Sequence, residues 1–149
     1  EHEIPGEIVL LGLFVNITDD GLYLTFEFGT LNFLLQGPEY PFPFIKGSIL
    51  DVAVDLRKNS DTFGQHFKHV LSGENKKQLY IPEGFAHGFL TLEDETLINY
   101  KCSNYYHAES ESSILWNDPD LNIDWGIQNP ILAEKDRLAE KFITFENPF

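Results

Sequence analysis

The sequence predicts a mostly β sandwich or barrel with a small terminal helix, and three observations carry that prediction. Short apolar runs recur along the chain, separated by clusters of Gly, Pro, Asn, Asp and Ser. Ile49 to Leu56 alternates well, with Leu50, Val52, Val54 and Leu56 on one face and Asp51 and Asp55 on the other. The chain is also rich in aromatic residues, with 13 Phe, 6 Tyr and 2 Trp, as the interior of an aromatic-lined sheet requires.

In order, the first strand is expected from Ile8 to Ile17, closed by a hairpin-like turn at Thr18-Asp-Asp-Gly21. Leu22 to Phe28 and Leu31 to Gln36 follow. Gly37 to Pro43 holds three prolines, which cannot sit in a central strand, and forms a connection or a loop over a pocket. After Ile49 to Leu56 comes a turn at Arg57 to Asp61. The polar face of that strand is either solvated or lines a polar cavity. Phe63 to Leu71 and Gln78 to Ile81 are the next strands, joined by Ser72 to Asn75. Phe85 to Leu92 and Thr96 to Cys102 form a hairpin around Glu93-Asp-Glu95. Beyond Tyr106 the pattern is irregular, until a helix is expected over about Leu132 to Phe142, with Leu138 and Phe142 four apart on its buried face.

The 149 residues, 42% hydrophobic, suffice for one domain, 1–149, with a core of its own. No repeat, linker or low-complexity segment divides them. A net charge of −14 with two arginines, Arg57 and Arg137, argues against nucleic acid and anionic membrane as partners. The single cysteine, Cys102, allows no internal disulfide and fits a reduced, cytoplasmic setting. No apolar run is long enough to span a bilayer, and no signal peptide with a basic front end is present. A start at Glu1 and the absence of methionine fit a missing or processed N-terminus.

Most reaction classes lack their motif. His66-Gln-Phe-His69 is the nearest approach to a metal pair, but on a strand that spacing sends the rings to opposite faces, so no metal is expected. There is no Gly-x-Ser-x-Gly elbow, no dinucleotide fingerprint and no phosphate-cradling loop ending in Gly-Lys-Ser/Thr. What remains is Gln78-Leu-Tyr-Ile-Pro-Glu-Gly-Phe-Ala-His87-Gly-Phe-Leu90, followed by Tyr100-Lys-Cys-Ser-Asn-Tyr-Tyr106. A histidine titrates near neutrality and a tyrosine hydroxyl can donate a proton in a dry pocket, so His87 and Tyr100 are candidates for moving protons. The plainer readings are a buried histidine bonded to backbone beside a turn and an ordinary strand aromatic.

Together with Asp51-Val-Ala-Val-Asp-Leu-Arg57 and Trp116-Asn-Asp-Pro-Asp120, this stretch resembles the nucleotide-sugar epimerases of the dTDP-4-dehydrorhamnose 3,5-epimerase family. Further matches, Thr62-Phe-Gly64, Asn75 to Leu79, Ile123-Asp-Trp125 and Pro130 to Asp136, fall in the family's order over roughly Lys46 to Phe142. The resemblance implies an all-β double-stranded β-helix, the cupin-type jelly roll, with a short C-terminal helix. It further implies a homodimer without metal or organic cofactor, serving deoxysugar and surface-polysaccharide biosynthesis. The implied reaction inverts C3, C5 or both in a nucleotide-linked 4-keto-6-deoxyhexose, by proton removal next to the ketone and return on the other face. Tyr100 matches the family's proton donor, His87 a pocket histidine, and Asp136 the carboxylate that pairs with the basic histidine. Tyr106 matches the aromatic that stacks on the nucleotide base. Asp51, Gln78 and Arg57 complete the implied substrate-binding set.

The first third departs from that pattern. The family's Arg-Gly-Leu-His motif, which supplies the base, faces Thr30 to Gln36, placing Leu35 at the histidine and Asn32 at the arginine. No histidine lies between His2 and His66. The enolate-stabilising lysine has only Lys46 as a substitute, and the early Arg-Gly segment is reduced to Asp19-Asp-Gly-Leu22. An altered epimerase with His87 as base, a non-catalytic binder of a nucleotide sugar and a purely structural jelly roll all stay open.

Overall fold

The computed structural model describes residues 7–11, 45–100, 102 and 111–149. Strands dominate. β1 is Glu7–Leu11, β2 Ile45–Lys46, β3 Ser48–Asp55, β4 His66–Ser72, β5 Phe85–Thr91, β6 Leu97–Ile98 and β7 Ile131–Leu132; the one α-helical turn, α1, is Glu134–Arg137. Five strands form a sheet in the order β4-β3-β5-β1-β7, and β2 pairs with β6 in a second, two-stranded sheet. Neighbours in the large sheet are antiparallel except β1 and β7.

The alternation in β3 does what its period demands. Val52, Val54 and Leu56 point to the outer face and join Leu90, Ile114, Leu121 and Trp125 in one buried cluster, with Leu50 packed against it. Each such aliphatic side chain contributes about 1.5–3 kcal/mol on burial. The opposite, inner face carries Ile49, Leu71 and Phe89 in a second cluster, sealed by Leu79 and by Ile98 from the small sheet. Asp51, Ala53 and Asp55 lie on this inner face between them, and all three are buried. The polar face of β3 is therefore enclosed, not solvated.

Four expected elements differ. β4 begins at His66 rather than Phe63, because residues up to Gly64 turn back on β3: Asp55 accepts from Gly64 N–H at 2.8 Å, and Gly64 has φ +76°. Gln78 to Ile81 is irregular; its apolar pattern reflects Leu79 packing on the inner cluster, not ladder pairing. β5 and the segment after it form no hairpin, since β1 and β3 occupy both edges of β5. The turn at Glu93–Glu95 instead carries the chain to β2, where Ile45 faces Ile98. Gly47 permits that approach, with φ +81° and no room for a side chain, since an added Cβ would lie 2.6 Å from Thr96 Oγ1.

The C-terminal helix is one turn long. Leu138 is 76% exposed, not buried. Long-range pairing takes the backbone beyond it: Leu115 N–H donates to Glu140 O at 2.7 Å, and Phe142 N–H to Asp118 Oδ2 at 2.9 Å. Phe142 then packs on the outer cluster as expected, but from a 3-10 turn, Phe142–Thr144. β1 takes in the described start of the expected Ile8 to Ile17 strand; the rest of that strand and the elements expected up to residue 44 fall outside the described residues.

Asp118 ties this segment down. Buried at 2% exposure, it accepts from the backbone of Asp120 and Leu121 with one oxygen and from Phe142 with the other. Asp118→Ala should cost about 2–3 kcal/mol, since bonds to a buried charged acceptor are among the stronger ones. Urea unfolding checks this; an unchanged midpoint would show that the segment is held by packing alone.

Candidate active site

Antiparallel register sets the inner face. Asp51 faces Phe89, Ala53 faces His87 and Asp55 faces Phe85, so Asp51 and His87 are diagonal neighbours on one face of adjacent strands. Their side chains meet: His87 Nε2 lies 2.5 Å from Asp51 Oδ1, with the side chains only 11% and 7% exposed. An ionised carboxylate only accepts, so opposite one the proton of this contact sits on Nε2, and a neutral ring then has its lone pair on Nδ1. The Phe89 ring stands beside the imidazole, centroids 6.2 Å apart. Asp51 thus fixes both the orientation and the tautomer of a nearly buried histidine. Such a group can accept a proton at Nδ1 while the carboxylate stabilises the resulting imidazolium.

On the other edge of β3, His69 faces Asp51 across the β4 register. Lys77 Nζ donates to His69 Nε2 at 2.9 Å, which brings an ammonium to this side of the sheet. His66 sits on the opposite face of β4, facing Val54. Burial pushes its imidazole below the usual histidine range, and the Lys68 charge adds to that. The His66 and His69 rings diverge as the spacing predicts. Among the described residues no three His, Cys, Asp or Glu side chains converge as a metal-ligand group.

The other implied residues are placed more loosely. Tyr100 lies two positions past β6 and is 51% exposed. Asp136 is fully buried in α1, which follows β7. Gln78 is half-buried beside Leu79 in the connection to β5. Tyr106 lies outside the described residues. A cavity of about 40 Å³ opens on the outer face among Val52, Val54, Ile114, Trp116 and Trp125. Its walls are mostly apolar, with His87 and Ser113 also in the lining, and Phe145 and Phe149 of the C-terminal segment close over it.

Arg57 sits just past β3 and is committed to Asp55. Its Nε and Nη2 donate to the two carboxylate oxygens at 2.9 and 2.7 Å, and its guanidinium lies 4.7 Å from the Phe85 ring centroid. Ser60 and Thr62 hydroxyls each donate to Asp55 Oδ2 at 2.6 Å. This cluster is the part of the site region that sequence reasoning missed. Its signal was the run Asp55-Leu-Arg-Lys-Asn-Ser-Asp-Thr62, whose Arg, Ser and Thr follow a strand-end Asp within one turn. Burial alone would raise the Asp55 carboxyl; the bonds from Arg57, Ser60 and Thr62 outweigh it and hold the group well below the usual carboxylate range. The same contact raises Arg57.

Three comparisons bear on the whole arrangement. The family model described as dTDP-4-dehydrorhamnose 3,5-epimerase matches residues 42–143. The chain is 56% identical over 96 residues to the dTDP-4-dehydrorhamnose 3,5-epimerase of Methanothermobacter thermautotrophicus, a match covering 62% of this chain and 52% of that one. The crystal structure of dTDP-4-dehydrorhamnose 3,5-epimerase from Elizabethkingia anophelis NUHP1 superposes with TM-score 0.62 at 51% identity, covering 68% of this chain and 56% of that one. The Legionella pneumophila dTDP-6-deoxy-D-glucose-3,5-epimerase, in complex with dTDP-4-keto-L-rhamnose, gives 0.60 at 44%, with the same coverage. The chain spans about half the length of the curated relatives it matches. Its fold class is all-β, of the cupin-type jelly-roll kind.

A carboxyl depressed in the folded state stabilises fully above its unfolded value, about 3.9, and loses that contribution as pH falls toward the folded value. The urea midpoint should therefore drop below about pH 4, and Asp55→Asn should flatten that drop while lowering stability at pH 7. Parallel acid profiles for the two proteins would show that Asp55 is not the group responsible.

Proposed function

The chain belongs to the dTDP-4-dehydrorhamnose 3,5-epimerase family, and from that premise we propose that it is a cofactor-independent nucleotide-sugar epimerase. Its substrate is a nucleotide-linked 4-keto-6-deoxyhexose, the chemical class of the ligand held by the Legionella relative. The observation that carries the reading is the Asp51–His87 hydrogen bond of 2.5 Å on the enclosed inner face.

The ketone at C4 acidifies the hydrogens on C3 and C5. His87 Nδ1 takes one of these protons, the C–H electron pair becomes the C=C bond, and the carbonyl becomes an enolate. Asp51 holds the imidazolium. The Tyr100 hydroxyl returns a proton to the opposite face of the same carbon, inverting it. Support for Tyr100 is its place two residues after Ile98, which packs onto Ile49, Leu71 and Phe89 of the inner cluster. Half-exposed, Tyr100 is open to contact with a ligand. Gln78 and Tyr106 bind the substrate, Tyr106 by stacking on the nucleotide base, and Asp136 braces the site as a buried carboxylate.

The proposed working form is a cytoplasmic homodimer; no described helix is long and apolar enough to cross a membrane. A non-catalytic binder of the same ligand is the second reading. It is favoured by the absence of any histidine between His2 and His66.

Incubation in D2O with dTDP- and CDP-linked 4-keto-6-deoxyglucose, followed by NMR at C3 and C5, separates the two. Enzyme-dependent loss of either hydrogen signal is the expected result, and His87→Asn should abolish it with the fold intact. Binding without exchange would establish the second reading. Tyr100→Phe should block inversion and can spare exchange at one carbon. Tyr106→Ala should weaken nucleotide binding by roughly 1–3 kcal/mol if the ring stacks on the base; equal affinity would remove it from the site.

A further inference from the structure

We propose that Arg57 is a positioning residue for His87, acting through the turn that launches β5 and not by touching the substrate. The inference rests on the epimerase reading for its kinetic consequence, but its structural content stands independently.

β5 enters the sheet through Pro82-Glu-Gly-Phe85, and His87 is the third residue of that strand. Beside the ladder pairs Val54–Ala86 and Asp55–Phe85, several contacts that tie this entry to β3 involve Arg57 or its immediate neighbour Leu56. Leu56 N–H donates to Gly84 O at 2.8 Å. Gly84 has φ +85°, and an added Cβ there would lie 2.5 Å from Arg57 Cγ and 3.0 Å from Cδ, so the aliphatic stem of Arg57 lies flat against the turn. The guanidinium covers the face of Phe85, two residues before His87 and on the same side of the strand.

The guanidinium itself cannot drift. Asp55 is 0% exposed and grips it with both oxygens, and also accepts the Arg57 backbone N–H at 3.0 Å. Ser60 and Thr62 hold the carboxylate from the other side. Arg57 is thus a rigid bracket between the end of β3, which carries Asp51 four residues before Asp55, and the start of β5, which carries His87. A 2.5 Å contact between side chains on these two strands tolerates little sliding. A lysine could keep the charge but not the two-point grip or the planar cover on Phe85.

The alternative role is direct substrate contact, for which a half-exposed arginine is a natural candidate. The two are separable. Arg57→Met keeps the stem and removes the grip; Phe85→Leu keeps the Arg57–Asp55 pair and removes the stacked ring. In 15N-histidine-labelled full-length protein, both variants should shift or broaden the His87 Nε2–H resonance and move its titration. Both should also lower kcat in the D2O assay by about tenfold to a hundredfold, the scale on which small misplacements act. KM should stay within about twofold, and Arg57→Lys should restore part of the loss. A raised KM with unchanged kcat and an unmoved His87 resonance would overturn the proposal and make Arg57 a substrate contact. An unmoved resonance with unchanged kinetics would also overturn it. If the wild-type protein shows no exchange, the epimerase reading fails, and the His87 resonance alone decides whether Arg57 positions that ring.

Discussion

A carboxylate taken out of water must find a partner, and three of the four buried aspartates among the described residues, Asp51, Asp55 and Asp118, do so in different ways. Asp118 meets backbone N–H groups and so pins one loop to another. Asp55 meets a guanidinium and two hydroxyls and so pins the end of β3 to the turn after it. Asp51 meets an imidazole. The first two partners keep their protonation through the physiological range, and the result is mechanical. The third partner, an imidazole, can both donate and accept, and it is the pair on which the proposed chemistry rests. One energetic problem is thus solved with three kinds of donor: backbone amides, a guanidinium with two hydroxyls, and an imidazole.

The central strand and its faces were legible in the sequence. Alternation over Ile49 to Leu56 determined which side chains share a side, and burial of both faces followed once Phe89 and Leu90 proved to be alternate residues of a neighbouring strand. His87 and Asp51 were each visible as candidates, but only the antiparallel register shows that Ala53, not Asp51, faces His87, which makes the pair diagonal. The divergence of His66 and His69 was likewise legible from the two-residue period.

The rest was hidden for identifiable reasons. Leu79 belongs to an apolar stretch that looks like a strand because packing on a cluster leaves the same local pattern as pairing in a ladder. Leu138 and Phe142 have helical spacing, yet Glu140 bridges to Ile114, and a tertiary pairing of that kind leaves no trace in a local window. Arg57 enters the sequence reading through the substrate-binding set that the resemblance implies; its grip on Asp55 depends on a turn geometry that residue type alone does not determine.

The outer face of the large sheet is finished by residues that come much later in the chain than the strand they cover. Ile114, Leu121, Trp125, Phe142 and Phe145 close over Val52 and Val54 from roughly sixty to ninety positions downstream, a separation typical of slow-folding β topologies. During synthesis, β3, β4 and β5 can pair as soon as they leave the ribosome, but they must then wait with one apolar side open. For that interval the nascent chain presents a surface suited to chaperone capture or to misassociation with other nascent chains. The yield of folded protein should thus depend on how quickly the last third of the chain is translated.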